Sequence, residues 1–368
     1  MSMRKEVSLQ AVSDAFDRDR LRQARTLAQL KKNELAQRVG VSAAAIGQYE
    51  SGVAKPRPEH LTALANALGV DVTFFVTGRP FFRVDTGNVH FRSLRSLRAG
   101  DRDRALSTAE QIRELTHVFE RYVEFPTVDL PVIELGASPA QAAQQLRNHW
   151  HIPDGPLPHL VATMESYGVV VLVSKQGGME RVDAFSSDID GRPIVMSTPR
   201  RSMEVYRHRF TVAHELGHLL LHQEPKPGDA VQELEADQFA AALLTPASDL
   251  AAILPRRVDL TELDRLSRTW GVSIESLLLR MREVRQTPET TLRRAYQRLA
   301  MLKGVRSLEP LTAYPGEMPT LLRQAVELCD VEAGITLVDI ASELHLPPRR
   351  IRELLGLDDV RPKLTVVR

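Results

Sequence analysis

The stretch Phe210-Thr211-Val212-Ala213-His214-Glu215-Leu216-Gly217-His218-Leu219-Leu220-Leu221-His222 holds two histidines four residues apart with a glutamate between them. On a helix His214 and His218 lie one turn apart on one face, close enough for both imidazoles to grip one cation. Glu215 then points about 100° away, beside a water on that cation. A carboxylate so placed can act as the base that readies water for attack on a peptide carbonyl. The plain alternative is an amphipathic helix with partly exposed histidines, because Val212, Leu216, Leu219 and Leu220 would pack a core in either case.

Two histidines leave a cation under-coordinated, and the downstream candidates for a third ligand are His222, Glu224, Asp229, Glu233 and Glu235. His222 continues the same helix eight residues from His214, about 12 Å away at ~1.5 Å per residue, too far for both to reach one ion at ~2 Å. Glu224 precedes the break at Pro225-Lys226-Pro227-Gly228. Glu233 to Ala240 opens a second helix in which Glu233 and Asp237 share a face and Ala236, Phe239, Ala240 and Leu243 share the core side. This spacing points to Glu233 as ligand and Asp237 as acceptor for a ligand histidine N–H. Glu235 stands in reserve, and a solvated acidic helix start favoured by the dipole is the plain reading. Zinc is the default for a His-His-Glu set, with manganese as the alternative. Tyr206, His208 and Arg209, just upstream, are candidates to stabilise a developing oxyanion.

A second constellation runs from Leu30 to Gly52. Gly40 permits a tight turn, Ser42 can cap the next helix, and Leu35, Ala36, Val41, Ile46 and Tyr49 can pin two helices together in a helix-turn-helix. On the second helix, Gln48 and Ser42 can hydrogen-bond base edges, while Lys31, Lys32, Arg38, Lys55 and Arg57 can hold phosphates. An alanine run at 43–45 predicts modest sequence discrimination and suits protein contacts as well as base reading.

These motifs need elements to position them. Short amphipathic helices fill Phe16 to about Gly78, and a stretch from Arg79 to Arg104 holds seven arginines against Asp85, Asp101 and Asp103. A longer helix is expected over about Ser107–Tyr122, and another opens at Ser138-Pro139. Val169 to Val173 reads as a buried strand, and Asp188-Ile189-Asp190-Gly191 as the turn of a hairpin running into Ile194-Val195-Met196. From Val205 onward the pattern is helical, with breaks at Pro225, Pro227, Pro246, Pro255, Pro288, Pro310, Pro315, Pro319 and Pro347-Pro348. The fold class is mainly α with an α+β middle domain. The expected segments are 1–78, a helix-turn-helix bundle; 79–125, a basic linker and helix; 126–300, the metal-binding domain with a helical subdomain; and 301–368, a helical C-terminal region. In the last, Leu337 to Gly356 is again helix-turn-helix-like, with Arg349, Arg350 and Arg352 on its second helix, though plain packing is the simpler reading.

The 368 residues, 43% hydrophobic and 26% charged, suit a multi-domain globular protein. Lys and Arg number 48 against 47 Asp and Glu, a net charge of +1, so attraction to nucleic acid must be local and no cationic field draws the chain to an acidic membrane. One cysteine, Cys329, excludes an intramolecular disulfide framework and a Cys-rich zinc cluster. With no secretory or membrane-spanning apolar run, a cytoplasmic location is expected.

Residues about 17 to 78 resemble a Cro/lambda-repressor-type (XRE) helix-turn-helix through Leu35-Ala36, Gly40-Val41-Ser42, Ile46, Tyr49-Glu50-Ser51-Gly52, Pro56 and Leu61 through Leu68-Gly69-Val70. Lys32 departs from it, standing where the family often carries a glutamine, and so does the alanine run. Residues about 126 to 300 resemble the ImmA/IrrE metallopeptidases through Arg209 to His218 and through Glu233, Ala236-Asp237, Phe239-Ala240 and Leu243-Leu244-Thr245-Pro246, with Thr245 in place of the usual methionine. The resemblance implies a zincin-like core with a small sheet, metal ligands at His214, His218 and Glu233, and Glu215 as the catalytic base. It further implies a regulator that binds double-stranded DNA and cleaves a repressor or antitoxin partner, or itself, in a stress or mobile-element response. A non-catalytic repressor or antitoxin with a structural or vestigial metal site is the alternative, and a homodimer is an open arrangement.

Overall fold

The computed structural model describes residues 8–79, 81–84, 89–91, 99–173, 184–197, 204–224, 226, 229–302, 314 and 316–357. Arg92, Arg95 and Arg98 of the basic stretch, and the breaks expected at Pro225, Pro227, Pro310 and Pro315, lie outside them. The chain is mainly α-helical and divides into two compact units. The four segments expected from the sequence are distributed differently from their order along the chain. Among the described residues, those up to Val84, 99–124 and those from Leu322 onward fold as one unit, and the others as the second.

The first unit begins with α1 (Leu9–Asp14), α2 (Arg18–Leu27), α3 (Lys32–Val39), α4 (Ala43–Ser51) and α5 (Pro58–Leu68), followed by a 3-10 turn at Val72–Phe75. Gly40 ends α3 at φ 79°, a left-handed conformation costly for residues with a Cβ, and Ser42 Oγ accepts from the Ala45 N–H to start α4. Leu21, Leu35, Ile46, Leu61, Leu64 and Phe75 make the core.

The helix expected over about Ser107–Tyr122 is α6 (Ala99–Phe119), which starts earlier than its apolar spacing suggested and is buried on nearly every side from Ala105 on. Buried polar groups on such a helix need partners. Gln23 Nε2 donates to Glu110 and Glu114 at 3.2 and 3.1 Å, Arg20 pairs with Glu114 at 2.5 Å, and Arg22 with Glu110 at 3.3 Å. C-terminal helices at Leu321–Val331, Leu337–Glu343 and Pro348–Leu354 complete this unit. Arg350 is buried there with Nε donating to Gln111 at 2.8 Å, so the second helix-turn-helix-like segment spends that arginine on packing, whereas Arg349 is exposed and pairs with Glu353 one turn on at 3.1 Å.

The second unit carries a mixed sheet of β1 (Val89–Phe91), β2 (Val170–Val173), β3 (Ala184–Ile189) and β4 (Arg192–Ser197) in the order β1-β3-β4-β2. β3 and β4 form the expected hairpin, with Asp190 and Gly191 at φ 54° and 71°, as a two-residue type I′ turn requires. β2 runs parallel to β4, reached through a crossover, and β1 adds an edge that the sequence did not announce. Around the sheet lie α7 (Pro139–His149), α8 (Leu160–Ser166), α9 (Val205–Leu221), α10 (Ala230–Leu244), α11 (Ala247–Ile253), α12 (Leu260–Trp270), α13 (Ile274–Arg285) and α14 (Glu289–Leu302). α9 is the central element, contributing Val212, Leu216 and Leu220 to a core shared with Phe239 and Leu243 of α10, Trp150, Val195 and Leu277. No helix among the described residues is long and apolar enough to cross a membrane.

Candidate metal centre and nucleic-acid interface

α9 is buried on almost all sides, so its histidines and glutamate cannot be a solvated face. His214, Glu215 and His218 are 0%, 0% and 2% exposed. α10 crosses α9 at Gly217, where a Cβ would stand 2.9 Å from the Phe239 ring, and this close approach brings the acidic first turns of α10 over the histidines. Asp229 caps that helix, its Oδ1 accepting from Val231 and Gln232, which accounts for one of the third-ligand candidates without a metal. The Glu224 carbonyl accepts from Gln232 Nε2 at 3.0 Å in the turn before the helix.

The ligand-bearing atoms converge. His214 Nε2 and His218 Nε2 are 3.1 Å apart, and the Glu233 carboxylate lies 3.5 Å from the first and 3.7 Å from the second. The two carboxylate distances run to different oxygens of Glu233, and one ligand atom from each of the three residues lies within 4.8 Å of the others, close enough for all three groups to reach one ion at ~2.0–2.1 Å. The donor set, two imidazoles and a carboxylate with an open side, also fits zinc in a catalytic coordination. Asp237 Oδ1 is 2.8 Å from His214 Nδ1, which leaves that ring's Nε2 for the ion.

Other groups complete the surroundings. Ser186 Oγ, on β3, donates to Glu215 Oε2 at 2.9 Å, a contact between the sheet and the helix that nothing in the linear sequence marks. His222 does not reach toward the shared point: its Nδ1 faces His218 Nδ1 at 2.9 Å and its Nε2 faces Glu235 Oε2 at 3.0 Å. Burial lowers the pKa of His222, with Glu235 partly offsetting it. The i+4 spacing from His218, one helical turn, is the sequence signal for that contact.

Of the upstream oxyanion candidates, Arg209 and Tyr206 are engaged with other groups and His208 is enclosed. Arg209 is buried against Glu317, with Nε donating to the Gly271 carbonyl at 2.9 Å and Nη2 to that of Leu157 at 2.5 Å. Tyr206 and Tyr314 share a hydroxyl hydrogen bond of 2.7 Å. His208 is fully buried and its pKa is pushed down to about 4 by that burial, against a raising contact from the Glu317 backbone and with Arg209 adding to the depression.

In the first unit, α3 and α4 with their N-caps present Lys31, Lys32, Ser42 and Gln48 at the surface, and the loop between α4 and α5 presents Lys55 and Arg57. Gln48 projects from the exposed side of α4, whereas Ser42 has its hydroxyl committed to capping. Lys32 Nζ is 3.2 Å from Glu50, which Arg25 also grips, and Lys55 Nζ donates to the Asp14 carbonyl. Arg57 makes a long exposed contact of 3.9 Å to Glu59, so Arg57 and Lys31 present the least committed positive charge of the four cationic residues.

Comparison with known families matches residues 21–75 to a model described as helix-turn-helix and residues 164–282 to one described as IrrE N-terminal-like domain. The chain joins a helix-turn-helix domain to an IrrE N-terminal-like domain. In the helix-turn-helix domain the match takes in α3 and α4, and in the IrrE N-terminal-like domain it takes in the whole convergence of His214, Glu215, His218, Glu233 and Asp237. No curated protein matches the chain.

Proposed function

We propose that the protein is a DNA-binding regulator whose IrrE N-terminal-like domain is a zinc-dependent endopeptidase, with manganese as the alternative metal. The reading rests on one observation: three metal-ligating groups meet at one point beside a glutamate on the same helix turn. His214, His218 and Glu233 hold the ion. When bound, the ion supplies Lewis acidity, polarising a peptide carbonyl and lowering the pKa of a water. Glu215 takes the proton from the attacking water and returns it to the leaving amine, while Ser186 holds its second oxygen. Asp237 fixes the His214 ring by accepting from Nδ1–H.

The substrate is a repressor or antitoxin partner, or the protein itself, and cutting it changes transcription at the site held by the first unit, in a cytoplasmic stress or mobile-element response. A second reading, a regulator with a structural metal site, is favoured by the complete burial of Glu215. Glu215→Gln separates the two. Under the peptidase reading the variant retains a full complement of metal by elemental analysis and loses partner cleavage in cells. Cleavage that persists in the variant removes Glu215 from its role, and regulation unchanged in a folded His214→Ala variant favours the structural site.

A further inference from the structure

We propose that His222 and Glu235 form a relay that sets the tautomer of His218, so that its Nε2 lone pair is directed at the cation: they are positioning residues, not ligands. The proposal rests on reading His214, His218 and Glu233 as a cation site.

The proton positions follow from the partners. Glu235 is a carboxylate and can only accept, so the nitrogen that faces it at 3.0 Å, His222 Nε2, carries a hydrogen. A neutral imidazole has one N–H, which leaves His222 Nδ1 with a lone pair. That lone pair faces His218 Nδ1 at 2.9 Å, so His218 Nδ1 is the donor of this hydrogen bond. His218 Nε2 is then a lone pair as well. The same logic applies on the other side, where Asp237 accepts from His214 Nδ1–H at 2.8 Å.

Two imidazole lone pairs therefore face each other across 3.1 Å, with a carboxylate 3.5 and 3.7 Å away. Three acceptors thus converge on one point, an arrangement that a cation satisfies. Without the relay, His218 is free to take the other tautomer. Its Nε2–H would then donate to His214 Nε2 and close the site with an imidazole–imidazole hydrogen bond. His222 and Glu235 hold the chain in the tautomer that cannot satisfy itself, and so favour the ion.

The test is the zinc affinity of the purified full-length protein, measured by competition with a chromophoric chelator. His222→Ala is expected to weaken zinc by about 10–100-fold, the usual cost of removing a partner of a metal-ligating histidine. His222→Asn places an amide oxygen near the former Nδ1 position, able to accept from His218 Nδ1–H, and is expected to restore most of that loss. Glu235 is about two-fifths exposed, so Glu235→Ala should fold whatever happens to the buried His222 variants. It should weaken zinc in the wild-type background and add little to His222→Ala, because it acts through His222. Wild-type affinity in both His222→Ala and Glu235→Ala overturns the proposal, as does a Glu235→Ala effect that persists undiminished in His222→Ala. A wild type that binds no zinc or manganese overturns the reading of the site and the relay with it.

Discussion

Gly217 lies between Glu215 and His218, and its role is to let α10 come close enough for Glu233 and Asp237 to meet the histidines. A Cβ added there would stand 2.9 Å from Phe239 Cδ1 and 3.2 Å from its Cβ and Cγ. Carbon atoms in contact prefer ~3.5–4.0 Å, so Gly217→Ala demands about 0.6–1 Å of separation between the two helices. Overpacking of this kind costs about 1–3 kcal/mol, while replacing a mid-helix glycine by alanine returns about 1 kcal/mol through helix propensity. The two effects have opposite signs, and the net expectation is destabilisation of up to about 2 kcal/mol. The displacement also moves the Glu233 carboxylate, now 3.5 and 3.7 Å from the two Nε2 atoms, by several times the ~0.2 Å tolerance of a metal–ligand bond. Zinc affinity should fall by about 10–100-fold, in line with other losses of ligand alignment. The assays are chelator competition and thermal unfolding of the metal-free protein. Adding Phe239→Leu, which removes the ring, should recover part of both losses. A Gly217→Ala variant that melts higher than wild type and binds zinc as tightly would refute the close-approach argument.

Two further outcomes are expected in the first unit. Burial raises the pKa of Glu110 to about 7, with Arg22, the Val84 N–H and Gln23 pulling the other way. Between the ordinary carboxyl value near 4.5 and about 7 the folded state holds more protons than the unfolded, so stability falls as pH rises through this window, by about 3 kcal/mol at ~1.4 kcal/mol per unit. Glu110→Gln should lose that part of the slope, seen as denaturant midpoints at pH 5 and pH 8 that lie closer together than in wild type; an unchanged difference would dismiss Glu110 as its source. On DNA, Gln48→Ala should cost about 1–3 kcal/mol of discrimination between operator and unrelated sequence, whereas Lys31→Ala should weaken both alike and reduce the salt slope by about 1. Loss of discrimination in Lys31→Ala but not in Gln48→Ala, measured in a salt-titrated binding series, would reverse the assignment.

Elements whose information is local were legible from residue types and spacing alone. The four-residue spacing of His214 and His218 is one helical turn, Gly40 and Ser42 are a turn and a cap within three residues, and Asp190-Gly191 is a complete hairpin signal. Glu233 and Asp237 were legible as a pair because the same one-turn rule aligns them on α10, and tertiary packing then set them against the histidines. Most of the contacts that the sequence did not reveal join residues whose spacing carries no period. Ser186 reaches Glu215 from a strand 29 residues away, and His222, one turn from His218, also meets Glu235 of the next helix, which no helical spacing aligns with it. The grouping of the N-terminal helices with α6 and the C-terminal helices was also set only in three dimensions. α6 buries charged residues nearly all round, and Glu110 and Glu114 meet their partners Arg20, Arg22 and Gln23 roughly 90 residues back along the chain. Burial of paired charge depends on which surfaces meet, and that is decided by packing of whole elements, not by the propensity or period of any one of them.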